Sequence, residues 1–144
     1  MSPLEETIAK AVEQGADRIV ETLCDIVRFP SIVKSDPREG PGERDCQLYL
    51  QRRLEALGFT TDLWEPDGPA LYAKYEGRPG ANKGRTFEGR PNLAGVLKGK
   101  GDGRSIMLTG HIDVVPPGAP EHWMSDPFAL SFRKASCEVA ERST

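Results

Sequence analysis

Apolar positions along the first thirty residues recur at helical spacing. Ile8, Val12, Ile19, Leu23 and Ile26 line one face, while Glu13, Asp17, Arg18 and Glu21 fall mostly on the other. Ser2 suits a helix cap, Pro3 the first helical position, and Glu5 the acid of a capping box. One helix is therefore expected up to Pro30, which ends it and biases Phe29 towards an extended shape. Residues 31–42 read as a polar loop. A second helix is predicted from Glu43 to Leu57, with Cys46, Tyr49, Leu50, Leu54 and Leu57 as its apolar stripe. Arg52 and Arg53 lie near its negative C-terminal end. Gly58 is a ready left-handed stop, and Phe59 supplies the apolar contact that accompanies such a cap.

The pattern then changes period. Thr60 to Trp64 is rich in β-compatible residues and predicts a short strand. Residues 65–91 are punctuated by Gly and Pro, with one weak strand candidate at Leu71 to Tyr75. That stretch is either a long functional loop or a pair of poorly signalled hairpin arms. Asn92 to Lys98 reads as a strand, and Lys100-Gly101-Asp102-Gly103 as a tight turn. Gly99 to Gly103 lacks the spacing of a phosphate-binding loop. Ser105 to Thr109 is a nearly continuous apolar run, expected of a strand buried on both faces. Helices followed by strands around a buried one predict an α/β fold.

Composition narrows the classes. The 144 residues suffice for one domain. The net charge of −3 argues against a nucleic-acid partner. No apolar run approaches the roughly 20 residues of a membrane span, so no membrane partner is expected. The start lacks a basic region followed by an apolar stretch, so no secretory leader is expected. The three cysteines, Cys24, Cys46 and Cys137, fit neither a disulfide framework nor a metal knuckle. They read as two thiols on helix faces and one in the tail, in a reducing, cytoplasmic setting.

Candidate chemistry concentrates in Gly110-His111-Ile112-Asp113-Val114-Val115-Pro116-Pro117. In an extended chain, residues two apart share a face with Cα atoms roughly 6.5–7 Å apart. His111 and Asp113 are thus expected together at the C-terminal edge of the buried strand, where open α/β proteins place their sites. A neutral imidazole is the commonest metal ligand, and a nearby carboxylate holds such a ring in one tautomer. Taken alone, such a pair is more often structural than catalytic.

The wider segment changes that balance. Gly110 to Pro116, then Trp123, then Asp126-Pro127-Phe128, resembles the first signature of the M20 metallopeptidase family. That family includes acetylornithine deacetylases, succinyl-diaminopimelate desuccinylases, carboxypeptidases of the G2 type and aminoacylases. Phe29-Pro30-Ser31, Leu57-Gly58-Phe59 and Gly89-Arg90-Pro91-Asn92-Leu93 also look like it. The resemblance covers about Leu4 to Phe128, dividing the chain into an N-terminal part of an M20-type catalytic domain, 1–128, and a tail without resemblance, 129–144.

The resemblance implies the opening portion of a zinc-peptidase-like α/β catalytic domain. It also implies a pair of divalent metals, usually zinc with cobalt as an alternative, and hydrolysis of an amide in an N-acyl amino acid or peptide by metal-activated water. His111 would be a metal ligand and Asp113 the acid that orients it. Trp123, Asp126, Pro127 and Phe128 would pack after the site loop. The family signature should continue with Asp-Gly, Tyr-Gly-Arg-Gly and a bridging Asp, followed by a Glu-Glu pair that supplies the general base. Residues 129–144 contain none of these, so the expectation is a reading frame broken soon after Phe128 and an inactive isolated chain. His122, in a Pro-Glu-His-Trp loop, reads as a surface histidine; rescue of the site by His122 or Cys137 is the lesser reading. The alternative is a short non-catalytic protein that keeps the partial fold for binding or self-association through exposed sheet edges.

Overall fold

The computed structural model describes residues 1–32 and 42–129. Its chain divides into two compact units, one of residues 29–120 and one of residues 1–28 with the described residues from Glu121.

In the second of these, the expected first helix forms as two, α1 over Pro3–Gln14 and α2 over Ala16–Val27. The Ser2 side chain accepts from the Glu5 N–H and the Glu5 carboxylate accepts from the Ser2 N–H, closing the predicted capping box. The break falls at Gly15, whose ψ of −2° departs from helical geometry while its N–H still reaches Ala11 at 3.0 Å. Glycine is the weakest ordinary helix former, so a long helix yields there first. The apolar stripe is not covered. Ile8, Val12, Ile19 and Leu23 each remain more than half exposed, and only Cys24 among the apolar side chains of this pair is buried. A 3₁₀ turn spans Pro120–His122.

The unit of residues 29–120 is built on α3, Glu43–Ala56, and an antiparallel pair, β1 (Thr60–Trp64) and β2 (Asn92–Val96). Helix α3 ends as its sequence predicts. Gly58 takes φ +88°, its N–H donates to Glu55 O, and the Phe59 N–H donates to Leu54 O at 3.1 Å. Those two bonds satisfy carbonyls that the helix end would otherwise leave open. The chain reverses into β1, whose Thr60 faces Val96 and whose Leu63 faces Leu93. The helix lies on this ribbon: Leu54 and Phe59 come within 3.1 and 3.2 Å of where a Cβ on Gly95 would stand. Gln51 donates to the Thr61 hydroxyl, which donates to Glu55 at 2.6 Å. Phe29 packs on Tyr49 with ring centroids 5.6 Å apart. Cys46, fully buried, carries a thiol whose pKa is raised by that burial.

Three expectations are corrected. The weak strand at Leu71 to Tyr75 is a helix, α4, over Gly68–Tyr75. Asp67 caps it by accepting from the Ala70 N–H at 3.0 Å, and Pro69 sits in its first turn, so a capping signal outweighs the β-compatible side chains. The apolar run Ser105 to Thr109 forms no strand, and Ile106, Met107 and Leu108 are 84–87% exposed. A strand exists by its ladder, and no described segment offers this run a partner. Consequently Lys100 to Asp102 is a run of bends rather than the tight turn between two strands, because β2 pairs back with β1. The described architecture is helices with one small two-stranded sheet, a mixed α and β fold without the buried central strand. Residues 33–41, inside the predicted loop, and the tail beyond 129, with Cys137, lie outside the described residues.

Candidate functional site

The stretch around His111 and Asp113 is held by the chain just before α3. Ser31 is 2% exposed. Its hydroxyl donates to the Ile112 carbonyl at 2.5 Å, and its own carbonyl accepts from the Val114 N–H at 2.9 Å. Ile32 and Val114 form an isolated parallel bridge. The Phe29-Pro30-Ser31 motif is thus a backbone strap across the His-x-Asp segment. The strap is itself wedged from behind. A Cβ on Gly42 would lie 2.7 Å from Pro30 O and 2.8 Å from Ser31 Cα, so only glycine lets the start of α3 approach this closely.

A second tie anchors the start of α3. Arg90 donates to Glu43 Oε1 through Nε at 2.9 Å and through Nη2 as well, with both side chains largely buried. Next to it, Glu65 accepts from Arg44 at 3.1 Å and from the Gly89 N–H at 2.9 Å. The Gly-Arg-Pro stretch before β2 is thereby fixed to α3. Sequence reasoning quoted these stretches only as family-like and assigned no role to Ser31, Gly42, Glu43, Glu65 or Arg90. The available signals were an arginine between Gly and Pro, and an acid in the first turn of a helix.

His111 and Asp113 do come together. His111 Nδ1 lies 3.0 Å from Asp113 Oδ1 and 3.0 Å from the Asp113 carbonyl. Two acceptors facing one ring nitrogen place the hydrogen on Nδ1, which leaves the lone pair of the neutral ring on Nε2. The His111 side chain is 84% exposed and that of Asp113 41%, so the pair is open to solvent. It stands on an extended segment with a single bridge, not at the end of a buried strand. His122 sits exposed in its 3₁₀ turn. Asp126 accepts the Phe128 N–H on its side chain at 2.9 Å, a local turn, and Trp123 is nearly half exposed.

Among the described residues, no three His, Cys, Asp or Glu side chains cluster to hold a metal ion. A catalytic zinc takes roughly three protein ligands and a water. The described residues therefore do not by themselves fit a two-metal centre, and no reaction step can be traced through one here.

Known proteins give the stretch a context. The chain is 39% identical over 93 residues to the succinyl-diaminopimelate desuccinylase of Leptothrix cholodnii, covering 65% of this chain and 20% of that protein. The enzymes of the same name from Cupriavidus necator and Polynucleobacter necessarius match at 38% and 35% identity over 95 residues, with the same coverage. The resemblance to the M20 family holds. The chain spans about a fifth of the length of these relatives. No protein-family model and no solved structure matches the chain, so the M20 likeness rests on sequence. No described helix is long and apolar enough to cross a membrane.

Proposed function

We propose that this chain carries the His-x-Asp corner of a metal-dependent hydrolase of the M20 kind, corresponding to its N-terminal part, and that the 144 residues alone are inactive. His111 is the metal ligand through Nε2, and Asp113 is the acid that orients the ring. One observation carries the reading: Nδ1 of His111 faces both acceptors of Asp113 at 3.0 Å, the arrangement by which a carboxylate fixes the tautomer of a ligating imidazole. The names of the relatives suggest a succinylated amino acid as the substrate class of the whole enzyme, with the N-acyl amide as the bond cleaved. The metal, zinc or cobalt, would activate the attacking water. One ligand and its orienting acid supply neither the remaining donors nor a general base.

Two measurements test this. Turnover of N-succinyl-diaminopimelate by the purified chain, with zinc or cobalt added, should be indistinguishable from buffer. Metal-dependent turnover abolished by His111→Ala would sink the inactivity. Zinc titration followed by NMR should shift the His111 ring signals in the millimolar range and leave His122 unmoved; a His111 ring indifferent to zinc would remove its role as ligand.

The second reading, a non-catalytic protein that associates with itself, is favoured by one feature. Ile106, Met107 and Leu108 form an uncharged, exposed apolar run without a ladder partner among the described residues. Sedimentation of the chain beside a Met107→Lys variant separates the two. A wild-type oligomer that becomes monomeric in the variant supports self-association, and a wild-type monomer excludes it.

A further inference from the structure

Helix α4 and the glycine-rich loop that follows it line a half-open cavity of about 280 Å³, distinct from the His111 segment in the residues that build it. Its volume is just below the range typical of ligand pockets, which starts at about 300 Å³, so it suits only a small ligand. The walls are Leu71, Tyr72, Tyr75 and Phe87, and the charged residues that line it are Arg78 and Arg85. No acidic residue among those described lines it.

Three features make this a formed site rather than a gap. A Cβ on Gly68 would lie 2.1 Å from the Arg85 carbonyl, so the start of α4 is pressed onto the far side of the loop, and the cavity lies within the closure this makes. The Arg85 guanidinium lies over the Phe87 ring, 5.7 Å from its centroid. A planar cation against an aromatic face keeps its N–H donors for a further partner. Among the described residues neither Arg78 nor Arg85 has an ion-pair partner, whereas the nearest acid in sequence, Glu76, accepts from the Tyr72 hydroxyl at 2.9 Å. Between Gly68 and Phe87 there are four cations, Lys74, Arg78, Lys83 and Arg85, against the single acid Glu76. That local excess of positive charge stands in a chain whose net charge is −3.

We propose that this cavity binds a small aromatic carboxylate, its ring between Leu71, the two tyrosines and Phe87, and its carboxylate on Arg78 and Arg85. Guanidinium and carboxylate match in geometry and form charge-assisted bonds stronger than neutral ones. A single negative charge suits the site better than the two of a phosphate monoester, since apolar walls penalise each charge brought out of water. The reading is independent of the His111 corner and requires no metal.

The test is titration of the metal-free 144-residue chain with 3-phenylpropanoate, followed by isothermal calorimetry and by saturation transfer to the ligand's ring protons. The neutral analogue 3-phenylpropan-1-ol serves as the comparison. The acid should saturate with a dissociation constant at or below about 1 mM, and the alcohol should bind roughly tenfold more weakly. Arg78→Gln, at an exposed residue, should weaken the acid several-fold and leave the alcohol unchanged. Arg85→Gln should do the same, with Arg85→Lys recovering part of the loss. Ala81→Trp, which fills the cavity, should abolish binding of both while the amide spectrum elsewhere stays folded. Equal affinity for acid and alcohol, or indifference to Arg78→Gln, would overturn the proposal. So would the lack of saturable binding up to about 10 mM.

Discussion

Two regions of the same unit are built in opposite ways. Residues 42–96 close on themselves: a helix with a complete C-terminal cap, a five-residue antiparallel register, a buried ion pair and apolar contacts between α3 and β2. Residues 104–115, where the M20-like signature begins, are tied to the other described residues by one parallel bridge and the two bonds at Ser31. The first region draws on many interactions, from the local cap at Gly58 to the Glu43–Arg90 pair across 47 residues. The second depends on partners far along the chain, since Ser31 reaches Ile112 across 81 residues. The candidate pair, His111 and Asp113, sits on the less tied of the two regions.

The largest effect expected from breaking this contrast is in the closed region. Glu43→Ala leaves the Arg90 guanidinium buried without its carboxylate. Removing one side of a buried pair costs about 3 kcal/mol or more, and thermal unfolding should show a loss of that size. Arg44→Ala, at an ion pair whose side chains are 51% and 38% exposed, should cost less than about 1 kcal/mol. Equal losses at the two positions would mean that the Glu43–Arg90 tie does not organise the region. Replacing both Glu43 and Arg90 by apolar residues should restore much of the loss, because no charge is then stranded.

Legibility in the sequence follows the same division. Where structure is decided within a few residues, the reading holds: the capping box at Ser2, the Gly58 stop with Phe59 behind it, and strand β1 all form where the pattern puts them. Asp67-Gly68-Pro69 carried a helix start of the same local kind. A cap there decides more than the β-compatibility of Tyr72 and Tyr75 does. The run at Ser105 to Thr109 failed for another reason. Its composition is that of a buried strand, yet burial is a property of what lies on either side, and the described residues put nothing there. The candidate pair was legible because two residues on one extended segment need no outside help to meet. The strap that holds them was not, because Ser31 and Gly42 are small, unremarkable in pattern and remote in sequence.

A smaller effect sharpens the contrast from the other side. Ser31→Ala removes the hydroxyl that donates to Ile112 and leaves the backbone bond to Val114 in place. Loss of one such bond is worth about 1 kcal/mol, so the melting curve should move little. The local consequence should be clearer. Amide exchange at Val114 should quicken and the His111 ring signals should shift, while the β1–β2 amides keep their protection. If His111 and Val114 ignore the substitution, the strap does not position the signature segment. If the β1–β2 amides lose protection as well, the two regions are one cooperative unit and the division between them fails.

The smallest expected effect is on stability at the pair itself. With His111 84% exposed, the Asp113 contact is screened by water, and Asp113→Asn should leave the unfolding transition unmoved within error. The ring is where the change should be read. In the native chain both the Asp113 side chain and the Asp113 carbonyl accept from Nδ1, each at 3.0 Å. The asparagine variant keeps the carbonyl and loses the carboxylate charge, so nitrogen shifts of the imidazole should show the preference for hydrogen on Nδ1 reduced rather than erased. A tautomer ratio identical to the native one would mean that the backbone carbonyl alone orients the ring. Asp113 would then lose its assigned role as orienting acid, while His111 would keep its lone pair on Nε2 by virtue of the chain's own turn. A complete reversal would assign the orientation to the carboxylate alone.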